Sequence, residues 1–111
     1  MKSEFVPYEL ALRMKQLGFD EPCMASRDMG NNHGLIQVPT WQSAFRWFRE
    51  KYDKYGVVNI DLSNNLEDKI FVYMIEDKLG YIIDRSEEYN TYEEAELSCL
   101  EKLIIIVESN T

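Results

Sequence analysis

The stretch of residues 39–55, which reads PTWQSAFRWFREKYDKY, constrains the fold of this chain more than any other part of the sequence. Successive residues of a helix lie about 100° apart around its axis, and most of the aromatic residues here then fall within an arc about 100° wide. A stripe of this width predicts a helix, ending near residues 55–56, that packs its aromatic side into a hydrophobic core. The stripe consists of Trp41, Ala44, Phe45, Phe48, Tyr52 and Tyr55.

Three residues of the same predicted helix lie outside this stripe. Trp47 lies on its flank, and Arg46 and Arg49 belong to the polar side. Tryptophan and arginine are the residue types that most often dominate protein interfaces. We therefore predict that Trp47, Arg46 and Arg49 form a protein-binding surface. The alternative within the fold is that Trp47 covers the edge of a sheet or stacks on a lysine stem.

Two further helices are indicated by their end signals. The first spans residues 7–17, where Pro7 suits the first helical position and Gly18 suits the left-handed residue that follows a helix. The third begins after Thr91, because Thr91 and Glu94 have the spacing of a capping box.

The remaining segments predict strands, and the whole order predicts an α+β domain. We expect three helices packed on one face of a small antiparallel sheet of three to four strands. Residues 27–34 and 63–68 are rich in turn-forming residues and are predicted to be loops. The predicted strands are residues 22–25, 35–38, 58–62, 70–75 and 81–83.

Length and charge limit the class of protein. A chain of 111 residues predicts a single domain, 1–111. Its 20 acidic and 12 basic residues give a formal charge of −8. The ordinary explanation of such a charge is that it keeps the protein soluble. Direct nucleic-acid binding is not expected, because the short basic clusters must overcome that charge. No apolar run has the length of a signal peptide or a membrane span, so we expect a cytoplasmic protein that binds no membrane.

Cys23 is the first candidate for chemistry, and His33, the one histidine, follows ten residues later. A nucleophilic cysteine needs a nearby cation that stabilises its thiolate. Asp20 and Glu21 instead precede Cys23, and their charges raise the pKa of its thiol. We therefore predict no catalytic residue here, and expect Cys23 and Cys99 to be unreactive core thiols without a disulfide.

No metal ion and no cofactor are predicted. A structural zinc site needs about four Cys or His ligands, and the chain has two cysteines and one histidine. The oxygen-bearing side chains of residues 61–67 imitate a calcium loop, but Leu66 stands where that loop needs glycine and Val72 where it needs glutamate. None of the five glycines belongs to a phosphate-binding motif.

Glu96 lies inside the apolar stripe of the third helix, which covers about 180° and predicts packing on two sides. A buried, unpaired carboxylate is costly, so the ordinary explanation is that its head reaches water or an arginine. The functional alternative is that Glu96 faces a ligand, with Glu93 one turn earlier as its neighbour. The stripe consists of Tyr92, Ala95, Cys99, Leu100, Leu103, Ile104, Ile106 and Val107.

Three stretches carry a resemblance to a known family. They are PYELALRMKQLGFDEPC (residues 7–23), WQSAFRWFREKY (41–52) and YEEAELSCLEKLI (92–104). Together they resemble a family of small proteins of gut-bacterial genomes and of their phages and mobile elements. The resemblance covers the three helical blocks and implies an accessory role in a phage or mobile element. It implies no activity, cofactor or catalytic residue.

These observations favour a small non-enzymatic protein-interaction module whose partner is a protein. An acidic inhibitor or DNA mimic is the first alternative, and it requires carboxylates arranged in a regular stripe. An enzyme with a carboxylate or cysteine site is the second, and it requires a deep pocket lined by Glu96 or Cys23. The sequence leaves the partner and the oligomeric state open.

Overall fold

The computed structural model describes residues 4–28, 35–61 and 69–110. Within these ranges the chain forms three helices and five strands, which confirms the predicted α+β class. The elements are α1 (Tyr8–Gln16), β1 (Ala25–Asp28), β2 (Leu35–Val38), α2 (Trp41–Tyr52), β3 (Tyr55–Asp61), β4 (Ile70–Glu76), β5 (Ile82–Arg85) and α3 (Tyr92–Ser109).

The described strands form two antiparallel sheets, a two-stranded sheet β1-β2 and a three-stranded sheet β3-β4-β5. The predicted packing of all three helices on one sheet is therefore not confirmed. The amino-terminal segment, rather than β3, continues the pairing beyond β2: Phe5 forms a bridge with Thr40, and the Val6 amide donates to the Pro39 carbonyl over 2.9 Å. Helices α2 and α3 pack against the larger sheet, whereas α1 packs against β2 and α3.

Most strands lie close to their predicted positions. β4 is central in its sheet, as its apolar sequence predicted, with β3 and β5 on either side. β1 begins three residues later than predicted and takes in Arg27 and Asp28 from the predicted loop, because these residues pair with Ile36 and Leu35 of apolar β2. The rest of that loop and the predicted turn 63–68 lie outside the described residues.

Most helix ends follow local signals. Pro7, predicted to be the first helical residue, is instead the extended residue before α1, with a ψ of 149°. Gly18 has a φ of +109° just after α1, as predicted. The Thr91 hydroxyl accepts a hydrogen bond from the Glu94 amide over 3.1 Å, which confirms the cap of α3, and donates to the Glu94 carboxylate over 2.9 Å. Helix α2 ends three residues earlier than predicted, because Asp53 adopts a left-handed φ of 55°. Tyr55 consequently starts β3 and is not part of the helical stripe.

The buried hydrophobic side chains form one cluster, to which α1, β2, α2, β4 and α3 all contribute. On α2, the core residues are Trp41, Ala44, Phe45, Trp47 and Phe48. The broad stripe predicted for α3 is largely buried between α1, α2 and the three-stranded sheet. Its two exceptions are Tyr92, which is exposed, and Ile106, which is half-buried.

The prediction that Trp47 lies on the surface is wrong. Only 5% of Trp47 is exposed. Its ring packs edge-on against Phe19 and Tyr52, with ring centroids 5.4 and 5.3 Å away. The cause is the chain after α1: the turn at Gly18 brings Phe19 over this flank, and the Tyr52 hydroxyl donates to the Leu17 carbonyl over 2.9 Å. The aromatic stripe of α2 is therefore wider than its sequence periodicity predicted.

In the part of the chain that the structure describes, no helix combines the length and the apolar character needed to cross a membrane.

Candidate binding groove between two helices

An open groove of about 420 Å³ runs between α2 and α3, above β3. Three elements line it, and each contributes groups of different chemistry. Two arginines lie on α2, backbone is accessible at a glycine of β3, and an aromatic and an acidic residue come from the first turns of α3. The lining residues are Gln42, Phe45, Arg46, Arg49, Gly56, Val58, Tyr92 and Glu96.

The α2 wall of the groove is built by helical spacing. Gln42, Arg46 and Arg49 lie about 40–100° beyond Phe45 around the helix, on one flank of the aromatic stripe. Trp47 lies on the opposite flank, about 60° beyond Ala44. The two arginines therefore share a surface with Gln42 and not with Trp47, which lines none of the described pockets.

The two arginines differ in exposure. The Arg46 side chain is 54% exposed, and its guanidinium lies 3.9 Å from Glu21 and 3.7 Å from Glu50. Exposed ion pairs at such distances contribute little, so the Arg46 guanidinium can turn towards a ligand at small cost. Arg49 is half-buried. Guanidinium groups bind carboxylates through two parallel hydrogen bonds, and this wall is suited to an anionic group.

The α3 wall carries Tyr92 and Glu96. Tyr92 is 42% exposed, and its ring contacts Phe71 edge-on at 6.1 Å. Glu96 lies inside the apolar stripe of α3 and is 8% exposed, so it is buried, which the sequence had not decided. Among the described residues, no buried side-chain nitrogen or oxygen lacks a hydrogen-bond partner. The cap at Thr91 immediately precedes this wall and fixes the direction in which α3 begins.

A second open compartment of about 490 Å³ continues the groove past the amino-terminal end of α2. It shares Gln42, Tyr92 and Glu96 with the first compartment. Glu93 and Glu4, both exposed, bring further carboxylates to it. Its lining residues are Glu4, Thr40, Trp41, Gln42, Tyr92, Glu93 and Glu96. We call the first the basic compartment, the second the acidic compartment, and the two together the α2–α3 groove.

Gly56 sets how closely β3 approaches the two helices. A Cβ atom at this position would lie 2.8 Å from Cys99 Sγ, 3.0 Å from Phe45 Cε1 and 3.1 Å from Leu103 Cδ1. Such distances are shorter than van der Waals contact, so only glycine permits this packing. The floor of the basic compartment therefore depends on the absence of a side chain at Gly56.

The structure brings four of the predicted site residues into one groove: Arg46, Arg49, Glu93 and Glu96. It separates Trp47 from them. Sequence reasoning missed Gln42 and Tyr92, although Gln42 stands four residues before Arg46 and could have been found from that helical spacing. It also missed Gly56, for which a sequence offers no signal, because the need for glycine arises from side chains on two other elements.

The two cysteines lie in different surroundings: Cys23 is half-buried and Cys99 is buried. Both thiols are free. Burial, and then the charge of Glu21, raise the pKa of Cys23, which opposes formation of a thiolate. Burial raises the pKa of Cys99 to about 12. His33 lies outside the described residues. Across the described ranges, no group of three or more His, Cys, Asp or Glu residues is placed to hold a metal ion.

No protein-family model, curated protein or solved structure matches this chain.

Proposed function

We propose that this protein is a non-enzymatic interaction module that binds a partner protein through the α2–α3 groove. One observation supports this proposal. Two helices and a strand converge on one open surface that carries positively and negatively charged side chains and an exposed tyrosine. Open grooves suit segments of other proteins, whereas small ligands are usually enclosed over most of their surface. Arginine and tyrosine are also typical of the residues that dominate binding energy at interfaces.

The enzymatic alternative is weaker on two physical grounds. The Cys23 thiol has a raised pKa, whereas a nucleophilic cysteine needs a lowered one. The compartment that contains Glu96 is open to solvent rather than deep, and a water-filled site gives little of the electrostatic advantage on which catalysis depends.

The acidic inhibitor or DNA mimic is also less well supported. Exposed acidic residues on α3 include Glu93, Glu94 and Glu101. However, Glu108 near the end of that helix is held by Arg13, with Nη2 and Oε1 2.6 Å apart. Arg46 and Arg49 lie across the groove from the start of the same helix. Cations beside the carboxylates reduce the negative charge that a mimic of the phosphate backbone needs.

An accessory role in a phage or mobile element, and a cytoplasmic location, remain parts of this proposal. The first rests on the resemblance of three sequence blocks, and the second rests on the sequence pattern.

A capture experiment with charge-matched variants tests the proposal. The immobilised protein is incubated with a lysate of its native host, and bound proteins are compared with those bound by an Arg46→Gln/Arg49→Gln variant. The control is Lys51→Gln/Arg85→Gln, which removes the same charge from two exposed residues outside the groove. We expect the groove variant to lose a specific protein that the control retains. Equal capture by both variants, with circular dichroism showing both folded, would contradict the proposal.

A further inference from the structure

The two compartments of the α2–α3 groove have opposite charge. Arg46 and Arg49 line the basic compartment, towards the carboxyl-terminal end of α2. Glu4 and Glu93 line the acidic compartment, beyond the amino-terminal end of the same helix. The shared residues, including Gln42 and Tyr92, lie between them. A ligand that lies along the groove therefore meets cations at one end and carboxylates at the other.

From this arrangement, and on the basis of the proposed function, we propose that the occupant is an extended peptide segment of the partner that carries both charges. An acidic side chain lies against Arg46 and Arg49, and a basic side chain lies against Glu93 and Glu4. An apolar or aromatic residue between them packs on Tyr92, which is 42% exposed.

The length of the groove sets the spacing of the two charges. Arg49 lies seven positions after Gln42 on α2, and at 1.5 Å per residue this part of the wall is about 10 Å long. The acidic compartment extends it past Thr40, to about 14 Å. An extended chain rises about 3.3 Å per residue. The acidic and basic side chains of the occupant are therefore about three to four residues apart.

Charge complementarity favours this occupant over others. A nucleic acid or a uniformly acidic segment meets repulsion from Glu4 and Glu93, and a uniformly basic segment meets it from Arg46 and Arg49. Like charges placed together across an interface cost more than opposite charges gain. A purely apolar segment covers the guanidinium groups without giving them a partner, which is also unfavourable.

Selection from a random dodecapeptide display library tests the inference. Peptides are selected on the wild-type protein and counter-selected on the Arg46→Gln/Arg49→Gln variant. We expect enriched peptides with an acidic and a basic residue about three to four positions apart. Their affinity, measured by fluorescence anisotropy, should fall about tenfold or more in the groove variant, because charged hydrogen bonds are lost. It should change less than about twofold in Lys51→Gln/Arg85→Gln, whose substitutions lie outside the groove.

A reversal of charge gives a second readout that does not depend on loss of binding. In an Arg46→Glu/Arg49→Glu variant, selection should shift to peptides rich in basic residues and poor in acidic ones. The same peptides should shift the amide resonance of Gly56, at the floor of the basic compartment, when added to the labelled wild-type protein.

The outcomes separate this inference from the function on which it rests. Groove-dependent peptides without paired opposite charges would overturn the inference and leave the interaction module standing. So would an absence of groove-dependent peptides together with groove-dependent capture from the lysate, since the partner would then offer a folded surface. Failure of both experiments would overturn both proposals.

Discussion

The two flanks of α2 border the same aromatic stripe, yet one is core and the other is surface. On one flank Trp47 is 5% exposed beneath Phe19, which the turn after α1 places over it. On the other flank Arg46 and Arg49 line an open groove. The position of a residue on the helix determines its flank, but the element that packs against that flank determines whether the residue is buried.

The difference also explains where binding can occur. The Trp47 flank is closed by aromatic contacts and by the hydrogen bond from Tyr52 to Leu17. The arginine flank faces α3 across β3, where the short side chains of the floor leave space. A binding surface on α2 is therefore restricted to the second flank, and the predicted combination of Trp47 with the arginines cannot occur in this fold.

The largest expected effects come from truncation on the closed flank. Trp47→Ala and Phe48→Ala should each lower the free energy of unfolding by ~3–5 kcal/mol, because both side chains are almost fully buried. Urea unfolding of both variants measures this. Lys51→Ala, on an exposed position of the same helix, is the control and should change stability by less than ~0.5 kcal/mol. If the Trp47→Ala variant is as stable as this control, Trp47 lies on the surface and not in the core.

Next in size is Gly56→Ala, at the floor between the two helices. The added methyl group meets Cys99 Sγ at 2.8 Å, and overpacking of this kind costs ~1–3 kcal/mol. Urea unfolding measures the loss. The substitution should cost less in a Cys99→Ala background, because the nearest of the clashing atoms is gone, and a double-mutant cycle measures that difference.

The same substitution has a chemical readout. Cys99 is fully buried and its pKa is raised to about 12, so a thiol reagent should label it at neutral pH only when the protein opens. Labelling of Cys99 should be faster in Gly56→Ala than in the wild type. If neither the labelling rate nor the free energy of unfolding changes, β3 does not approach the helices as closely as the distances at Gly56 indicate.

Local patterns were sufficient for much of this fold. The turn at Gly18 after α1, the cap of α3 and the central position of β4 follow from residue type and spacing within each segment. The separation into two sheets does not, because no local pattern specifies which strands pair with one another. The prediction that Trp47 is exposed is wrong for a similar reason, because its burial depends on contact with Phe19, which belongs to another segment of the chain.

The candidate site was predictable only in pieces. Arg46, Arg49, Glu93 and Glu96 were identified on two separate helices, but the sequence did not indicate which faces of those helices would lie side by side. Gly56 makes that placement possible through contacts with side chains far along the chain. A site shared between elements is therefore visible in a sequence as isolated candidates, and their grouping requires the tertiary structure.

A smaller effect is expected at the start of the opposite wall. Thr91→Ala should lower the free energy of unfolding by ~1 kcal/mol, because it removes the hydroxyl that accepts from the Glu94 amide. Chemical denaturation measures this. Thr91→Ser keeps a hydroxyl at the same position and should remain close to the wild type. Equal midpoints for the alanine and serine variants would contradict the capping role.

The smallest expected effect on stability comes from the open flank, and it distinguishes the two flanks most directly. Arg46→Gln should change the free energy of unfolding by less than ~0.5 kcal/mol, because its pairs with Glu21 and Glu50 are long and exposed. The same substitution should weaken binding of a groove-dependent peptide, measured by anisotropy. Trp47→Phe, which keeps an aromatic ring on the closed flank, should show the reverse pattern, with lower stability and unchanged binding. If Arg46→Gln instead destabilises the fold as much as Trp47→Phe does, the arginine flank is structural, and the contrast between the two sides of α2 no longer identifies a binding surface.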